Sequence, residues 1–268
     1  MENRKRKAAN KNIFSFLLSV FSILLFVPLL PRAFAAAPPD YFQRLAESDY
    51  HYLNPAKFHI ERVLAPPPAD DSLVTEAELA ALLELQRLRS ATEVLRARAG
   101  AALTPDAFTD AVGPWYQPDR LPLTMTLLQR VKDDCYKSVP GQKKQWPRAR
   151  PYHLDPRLAP CVDLPGNASY PSGHAELGAL WGAVLASVAP AGERARLLAR
   201  GWEIGDDRLL AGVHYPSDVA AGRLVARELF RLMQASPKFR RDRAAARKEI
   251  ENIQRGNAAM KKLVSFPP

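Results

Sequence analysis

From Thr75 onward the apolar residues of this chain recur at three- and four-residue spacing, and nowhere does a run of β-branched residues alternate with polar ones. A period near 3.6 places side chains on one face of a helix, whereas a half-buried strand needs a period of two. The chain therefore reads as all-α, a helical bundle. Leu79, Leu82, Leu83, Leu85, Leu88, Val94 and Leu95 form the first stripe, between Thr75 and Ala99. Thr75 and Glu78 are placed as a capping box, and a break is expected near Ser90. Further helices are expected over 101–112, 121–136, 175–189, 192–210 and 216–233, separated by Gly113-Pro114, by Pro190 and by the corner from Gly212 to Tyr215. The stretch 238–262 reads as an exposed, charged helix, and Asp40 to Phe58, ahead of Ala65-Pro-Pro-Pro68, as an irregular arm.

Ahead of this pattern, Met1 to about Ala35 combine a cationic start, an apolar run from Ile13 to Leu30 and the small-residue triplet Ala33-Phe34-Ala35. Those are the parts of a secretory signal peptide. Pro28 and Pro31 near the end of the run, with small residues after them, favour cleavage over retention as an anchor. Residues 1–35 are thus expected to be a leader and 36–268 a single domain, soluble, and periplasmic or secreted. No later stretch approaches spanning length. The formal charge of +10 includes a net +5 from the leader, so the remainder is only mildly basic. Such a balance can steer anionic small molecules toward a site and does not call for a nucleic-acid partner. Cys135 and Cys161 are the cysteines of the chain, and in an oxidising compartment they are expected to pair. A disulfide closing that loop would contribute about 3 kcal/mol in the chain-entropy picture.

Within 143–218 the chain gathers cations, isolated histidines and a carboxylate. Lys143 is followed by Arg150-Pro151, then by Tyr170-Pro171-Ser172-Gly173-His174, then by Arg208, five residues, His214, three residues and Asp218. Hydrolysis of a phosphomonoester requires neutralised equatorial oxygens, an in-line nucleophile and a proton for the departing alkoxide. Lys143, Arg150 and Arg208 supply positive charge, the arginines as planar forks. Pro147 and Pro151 suggest that Lys143 and Arg150 lie on a stiffened, irregular segment. Ser172 and Gly173 set a turn into the next helix, where free backbone N–H groups favour an anion. Asp218, four residues after His214, can accept from one ring nitrogen and leave the other as a lone pair. His51, His59 and His153 have no such partners in the sequence and read as structural.

Lys-x6-Arg-Pro, Pro-Ser-Gly-His and Arg-x5-His-x3-Asp resemble the signature of the phosphatidic acid phosphatase type 2 superfamily, which includes the vanadium haloperoxidases. Asp207 stands where that family has Ser. The Val63–Ser72 entry and the run Gly201-Trp-Glu-Ile-Gly-Asp206 are similar to the class A non-specific acid phosphatases. The resemblance implies a PAP2/haloperoxidase-like bundle in which His214 forms a phosphohistidine, Asp218 orients it, and His174 serves as general acid and then base. Lys143, Arg150, Ser172, Gly173 and Arg208 would bind the phosphoryl group. Because His174 must begin protonated, activity on the acid side of neutral is expected. Small phosphomonoesters are the implied substrates, with no cofactor, and the oligomeric state stays open. His174-Ala-Glu176 matches the His-x-Glu of zinc deaminases, yet no Pro-Cys-x-x-Cys accompanies it, and no metal is expected. Three other readings stand beside the preferred one: a soluble lipid-phosphate or pyrophosphate phosphatase, a vanadium-dependent haloperoxidase, and an exported anion-binding protein without catalysis. Asn167-Ala168-Ser169 fits a glycosylation acceptor.

Overall fold

A computed structural model describes residues 41–113 and 115–264. The chain divides into Met1–Ala35 and Ala36–Pro268, and the expected leader lies outside the described residues. Among the described residues there is no strand, and no helix is long and apolar enough to cross a membrane.

After α1 (Tyr41–Glu47) and two short 3-10 turns, α2 (Leu73–Leu88) and α3 (Ala91–Ala99) form the expected pair. The break falls at Ser90, whose hydroxyl caps the Glu93 amide while the Glu93 carboxylate accepts from the Ser90 amide. The box expected of Thr75 and Glu78 does not form. Ser72 caps α2 instead, accepting from the Thr75 amide at 3.2 Å, and Glu78 is turned toward a distant partner. The stretch 101–112 is a 3-10 segment, Pro105–Ala111, rather than an α-helix. Pro105 at its first position has no N–H to give, and Gly113-Pro114 follows before an α-helix could extend.

Helix α4 (Pro122–Gln145) runs past its expected end at Tyr136 and carries Pro140 inside it. Lys143 therefore sits on the last helical turn, not on an irregular segment; only Trp146 to Arg150 are extended, before the single turn α5 (Pro151–Leu154). The remaining helices are α6 (Gly173–Val188), α7 (Arg194–Leu210), α8 (Pro216–Ala235) and α9 (Pro237–Val264). Helix α6 is the centre. Leu177, Leu180, Trp181, Val184 and Leu185 bury it nearly all round, and it packs against α4, α7, α8 and α9. Its approach to α7 is close because Gly178 and Gly182 face Gly201: a Cβ on Gly201 would stand 2.6 Å from the Gly178 carbonyl oxygen.

Helix α9 is charged but not simply exposed. Phe239, Ala246 and Ile250 are buried, and Glu249 accepts the Leu123 and Thr124 amides at 2.9 Å, closing the otherwise uncapped start of α4. The expected disulfide is corrected: Cys135 and Cys161 are free thiols. Cys135 is fully buried within α4 and its Sγ donates to Glu176 Oε1 at 3.3 Å. Cys161 packs with Ala97, Ala211 and Val213, and its amide donates to the Ala211 carbonyl. The two sulfurs are held in different surroundings by different elements.

Candidate active site

The last turns of α4 and α7 and the first turns of α6 and α8 carry the residues singled out in the sequence. Lys143 comes from the end of α4, Arg150 precedes α5, and Arg208 lies in the last turn of α7. Gly212, with φ of 74°, makes the left-handed corner after α7, and His214 follows it. Ser172 is the N-cap of α6, accepting from the Ala175 amide at 3.4 Å, with His174 in the first turn. Its own amide donates to the Asp218 carbonyl at 3.0 Å, so the start of α6 is tied to the first turn of α8. Gly222 makes that approach feasible, because a Cβ there would run into the Ser172 carbonyl.

The His214 tautomer follows from its neighbours. Arg150 Nη1 lies 3.1 Å from Nε2, and a guanidinium can only donate. Nε2 is thus the lone-pair nitrogen and Nδ1 carries the proton, given to Asp218 Oδ2 at 3.2 Å. Asp218 Oδ2 also accepts the Tyr215 amide at 2.9 Å and the Ser169 hydroxyl at 2.5 Å, while Oδ1 accepts from Arg148 Nη1 at 2.8 Å. Burial works against the charge of Asp218, but hydrogen bonding from His214, the charge of Arg148 and the Ser169 hydroxyl hold its carboxyl down at about 2. Burial, reinforced by the charges of Arg150 and Lys143, pushes the His214 ring down to about 3 despite Asp218, so the ring is neutral and its Nε2 lone pair carries no proton.

The cations are steadied by main-chain carbonyls. Lys143 Nζ donates to the Ala168 and Pro171 carbonyls at 2.6 and 3.0 Å. Arg150 donates to the Val213 carbonyl at 2.6 Å and to the Asn167 side chain at 2.7 Å. Arg208 is different: its Nε and Nη1 are buried without a hydrogen-bond partner. Two unserved donors on a buried guanidinium are what an oxyanion ligand would satisfy. Burial lowers Lys143 to about 8 and Arg150 to about 10, and lowers Arg208 as well, so each cation gains from an arriving anion. His174 Nε2 donates to the Ala101 carbonyl at 3.1 Å, leaving Nδ1 to exchange a proton. Burial and then the charge of Arg208 push His174 down to about 3. Without a bound anion the ring is therefore neutral, in contrast to the expectation that it begins protonated.

Asp207, the departure from the family pattern, turns away from Arg208. Its Oδ1 accepts from Arg96 Nε of α3 at 2.8 Å, and Oδ2 lies 3.6 Å from Arg200 Nη1. Sequence reasoning missed Arg148, Ser169, Asn167 and Glu78. Arg148 is buried, forks onto Asp218, Ser217, Glu78 and Thr75, and stacks 3.8 Å from the centre of the Tyr215 ring. Glu78 reaches from α2 to accept the Ser217 amide at 2.6 Å. The nearest sequence signal was the position of Arg148 between Lys143 and Arg150. Among the described residues no three His, Cys, Asp or Glu side chains are grouped as a metal-ligand set.

The family model of the PAP2 superfamily matches residues 128–241, the span from the second turn of α4 to the start of α9. A non-specific acid phosphatase of Salmonella typhimurium is 32% identical over 199 residues, covering 70% of this chain and 79% of that protein. Another from Salmonella typhi is 30% identical over 241 residues, covering 86% and 92%, and one from Providencia stuartii is 28% identical over 250 residues, covering 89% and 99%. Among solved structures, a bacterial vanadium-dependent iodoperoxidase shares the fold with a TM-score of 0.51 and 19% identity. That match covers 64% of this chain and spans about half, 52%, of the iodoperoxidase. With the helical fold, the signature residues at one end of the bundle and relatives matched over most of their length, the chain belongs to the PAP2 superfamily, with the non-specific acid phosphatases as its relatives.

Proposed function

We propose that this protein is an exported, metal-independent acid phosphatase that hydrolyses small phosphate monoesters through a phosphohistidine on His214. The observation that carries the reading is the fixed lone pair: His214 Nε2 is held as an acceptor by Arg150, with Asp218 on the opposite nitrogen. In the first step a bond forms from Nε2 to phosphorus and the ester P–O bond breaks. His174 gives its proton to the leaving oxygen. In the second, water attacks phosphorus, His174 takes the water proton, and the P–N bond breaks to free phosphate. Arg208, Arg150, Lys143, the Ser172 hydroxyl and the Gly173 amide would bind the equatorial oxygens.

The proton on His174 would enter with the substrate. Burial is the larger cause of the low His174 pKa; a phosphate group offsets the other, the charges of Arg208, Arg150 and Lys143, and so shifts the ring toward its protonated form, most readily at acid pH. Names of the relatives support monoester hydrolysis, and the cationic, apolar and small-residue order of 1–35 supports export.

Release of p-nitrophenol from p-nitrophenyl phosphate at acid pH with a chelator present tests this directly. Chelator-resistant turnover, blocked by vanadate and lowered by about three orders of magnitude or more in His214→Ala, is the expected result. Turnover that survives His214→Ala would remove the phosphohistidine, and loss of turnover with the chelator would remove metal independence.

A further inference from the structure

Glu176, two residues after His174, is a fully buried carboxyl that the mechanism above does not use. Its Oε2 has no hydrogen-bond partner. Its Oε1 has the Cys135 thiol and the Ser138 hydroxyl, each at a long 3.3 Å, with the Gln142 amide near the carboxyl. The hydroxyl has a single proton and also lies 2.7 Å from the Cys135 carbonyl, so it cannot serve both acceptors fully. An ionised carboxylate here would be badly solvated, and a protonated one is far better matched to its surroundings.

The side of α4 that packs on Glu176 through Cys135 and Ser138 ends, in its last turn, at Lys143 of the phosphate site. Helix α4 presents Cys135, Tyr136 and Lys143, with which it interacts electrostatically. On its own helix His174 stands two residues earlier and so points to another side of α6, and α7 contributes Arg208, which faces His174. The α8 carboxylate, Asp218, is committed to His214 and Arg148, and the buried residues of α9, Phe239, Ala246 and Ile250, do not titrate. Burial pushes Glu176 up to about 7, against hydrogen bonds from Cys135, Gln142 and Ser138 and the charge of Lys143. Ser138 and Gln142 also line a cavity of about 330 Å³ between α4 and the arm carrying Tyr50 and Phe58. That cavity offers the carboxyl a route for proton exchange that does not pass through the phosphate site.

Resting on the phosphate-site reading above, we infer that Glu176 is a positioning residue: a buried carboxyl with an unpartnered oxygen, packed on the helix that delivers Lys143, it sets by its protonation how cationic the site is, and so makes tight binding of phosphate groups depend on pH. Neutral Glu176 leaves the charges of Lys143, Arg150 and Arg208 uncompensated for the ligand. Ionised Glu176 offsets part of the Lys143 charge and repels the incoming dianion.

Sulfate is the probe, because its charge is constant across the range and it is not turned over. Its Kd is measured by calorimetry for the full-length wild type, Glu176→Gln and Glu176→Asp at several pH values. The ratio of wild-type to Glu176→Gln Kd should be near one at about pH 5 and rise to about tenfold at about pH 8, the effect of one nearby unit charge. Glu176→Asp, which keeps a carboxyl, should retain the wild-type pH slope. A ratio independent of pH, whatever its size, would reduce Glu176 to a packing role and overturn the inference. Should Glu176→Gln fail to fold, infrared spectra of wild type decide: the inference requires a protonated-carboxyl band present at about pH 6 and lost by about pH 8. Absence of that band at the acid end overturns it. If wild type binds sulfate nowhere in the range, the phosphate-site reading itself falls, an outcome distinct from a flat ratio.

Discussion

Arg148 holds together groups that no sequence pattern joins. Its guanidinium bridges Glu78 on α2 and Asp218 on α8 at 3.0 and 2.8 Å, both sides of the contact being nearly or fully buried. Arg148→Met would leave two carboxylates without their cation, a loss of about 3–5 kcal/mol that chemical denaturation should read. Arg148→Lys should recover only part of it, since an ammonium cannot reproduce the fork. An unfolding free energy within about 1 kcal/mol of wild type for Arg148→Met would show that the bridge is not a structural requirement. Read in the sequence, Arg148 is indistinguishable from Lys144 or any other cation near Pro147. His214 and Asp218 were legible because they lie one turn apart and their chemistry is local; Arg148 and Glu78 are 70 residues apart, and their pairing exists only once α2 has docked. Glu176 was seen in the sequence only as a deaminase-like neighbour of His174, because its burial, which gives it a role, is a tertiary property.

At the scale of helices, the apolar period announced each long element, and its failures have separate physical causes. Pro140 lies inside α4 and did not end it, so the helix delivers Lys143 from its last turn. In α9 the buried residues Phe239, Ala246 and Ile250 are few among many cations, too sparse a stripe to be told from a solvated face. The small residues of α6 and α7 carried the opposite signal, close packing, and the structure makes it specific. A Cβ on Gly201 would stand 2.6 Å from the Gly178 carbonyl oxygen and 3.1 Å from the Gly182 Cα, both backbone atoms that cannot rotate away. Gly201→Ala should therefore destabilise the fold by about 1–3 kcal/mol in denaturant titrations. Gly222→Ala presses instead on the Ser172 carbonyl at the start of α6, so its KM for a phosphomonoester should rise several-fold more than that of Gly201→Ala. Equal KM values in the two variants would separate the α6–α8 crossing from the phosphate site.

Across the whole molecule the buried ionisable groups make stability, ligand and proton interdependent. His174 and His214, lowered to about 3 from an ordinary 6.5, contribute stability that is present above 6.5 and lost as pH falls toward 3. Asp218, lowered to about 2 from 3.8, adds a contribution present above 3.8 and lost as pH falls through 2. Glu176 acts in the other sense: raised to about 7 from 4.5, it favours the fold most below 4.5 and progressively less as pH rises toward 7. Between these limits the protein without ligand resists protonating His174 while retaining the proton of Glu176. A bound dianion eases the part of the first constraint that comes, after burial, from Arg208, Arg150 and Lys143, and is itself favoured by the second. Anion and proton should therefore bind together, and the stabilisation by a ligand of constant charge must be larger in acid. At about 100 times its Kd, a ligand adds about 2.7 kcal/mol, enough to move a melting temperature by several degrees. Sulfate at one fixed concentration should raise Tm more at about pH 5 than at about pH 8, and the excess should shrink in Glu176→Gln. An equal rise at both pH values in wild type would mean that the anion binds without its proton, and that the acid dependence of any turnover arises in the substrate rather than in this site.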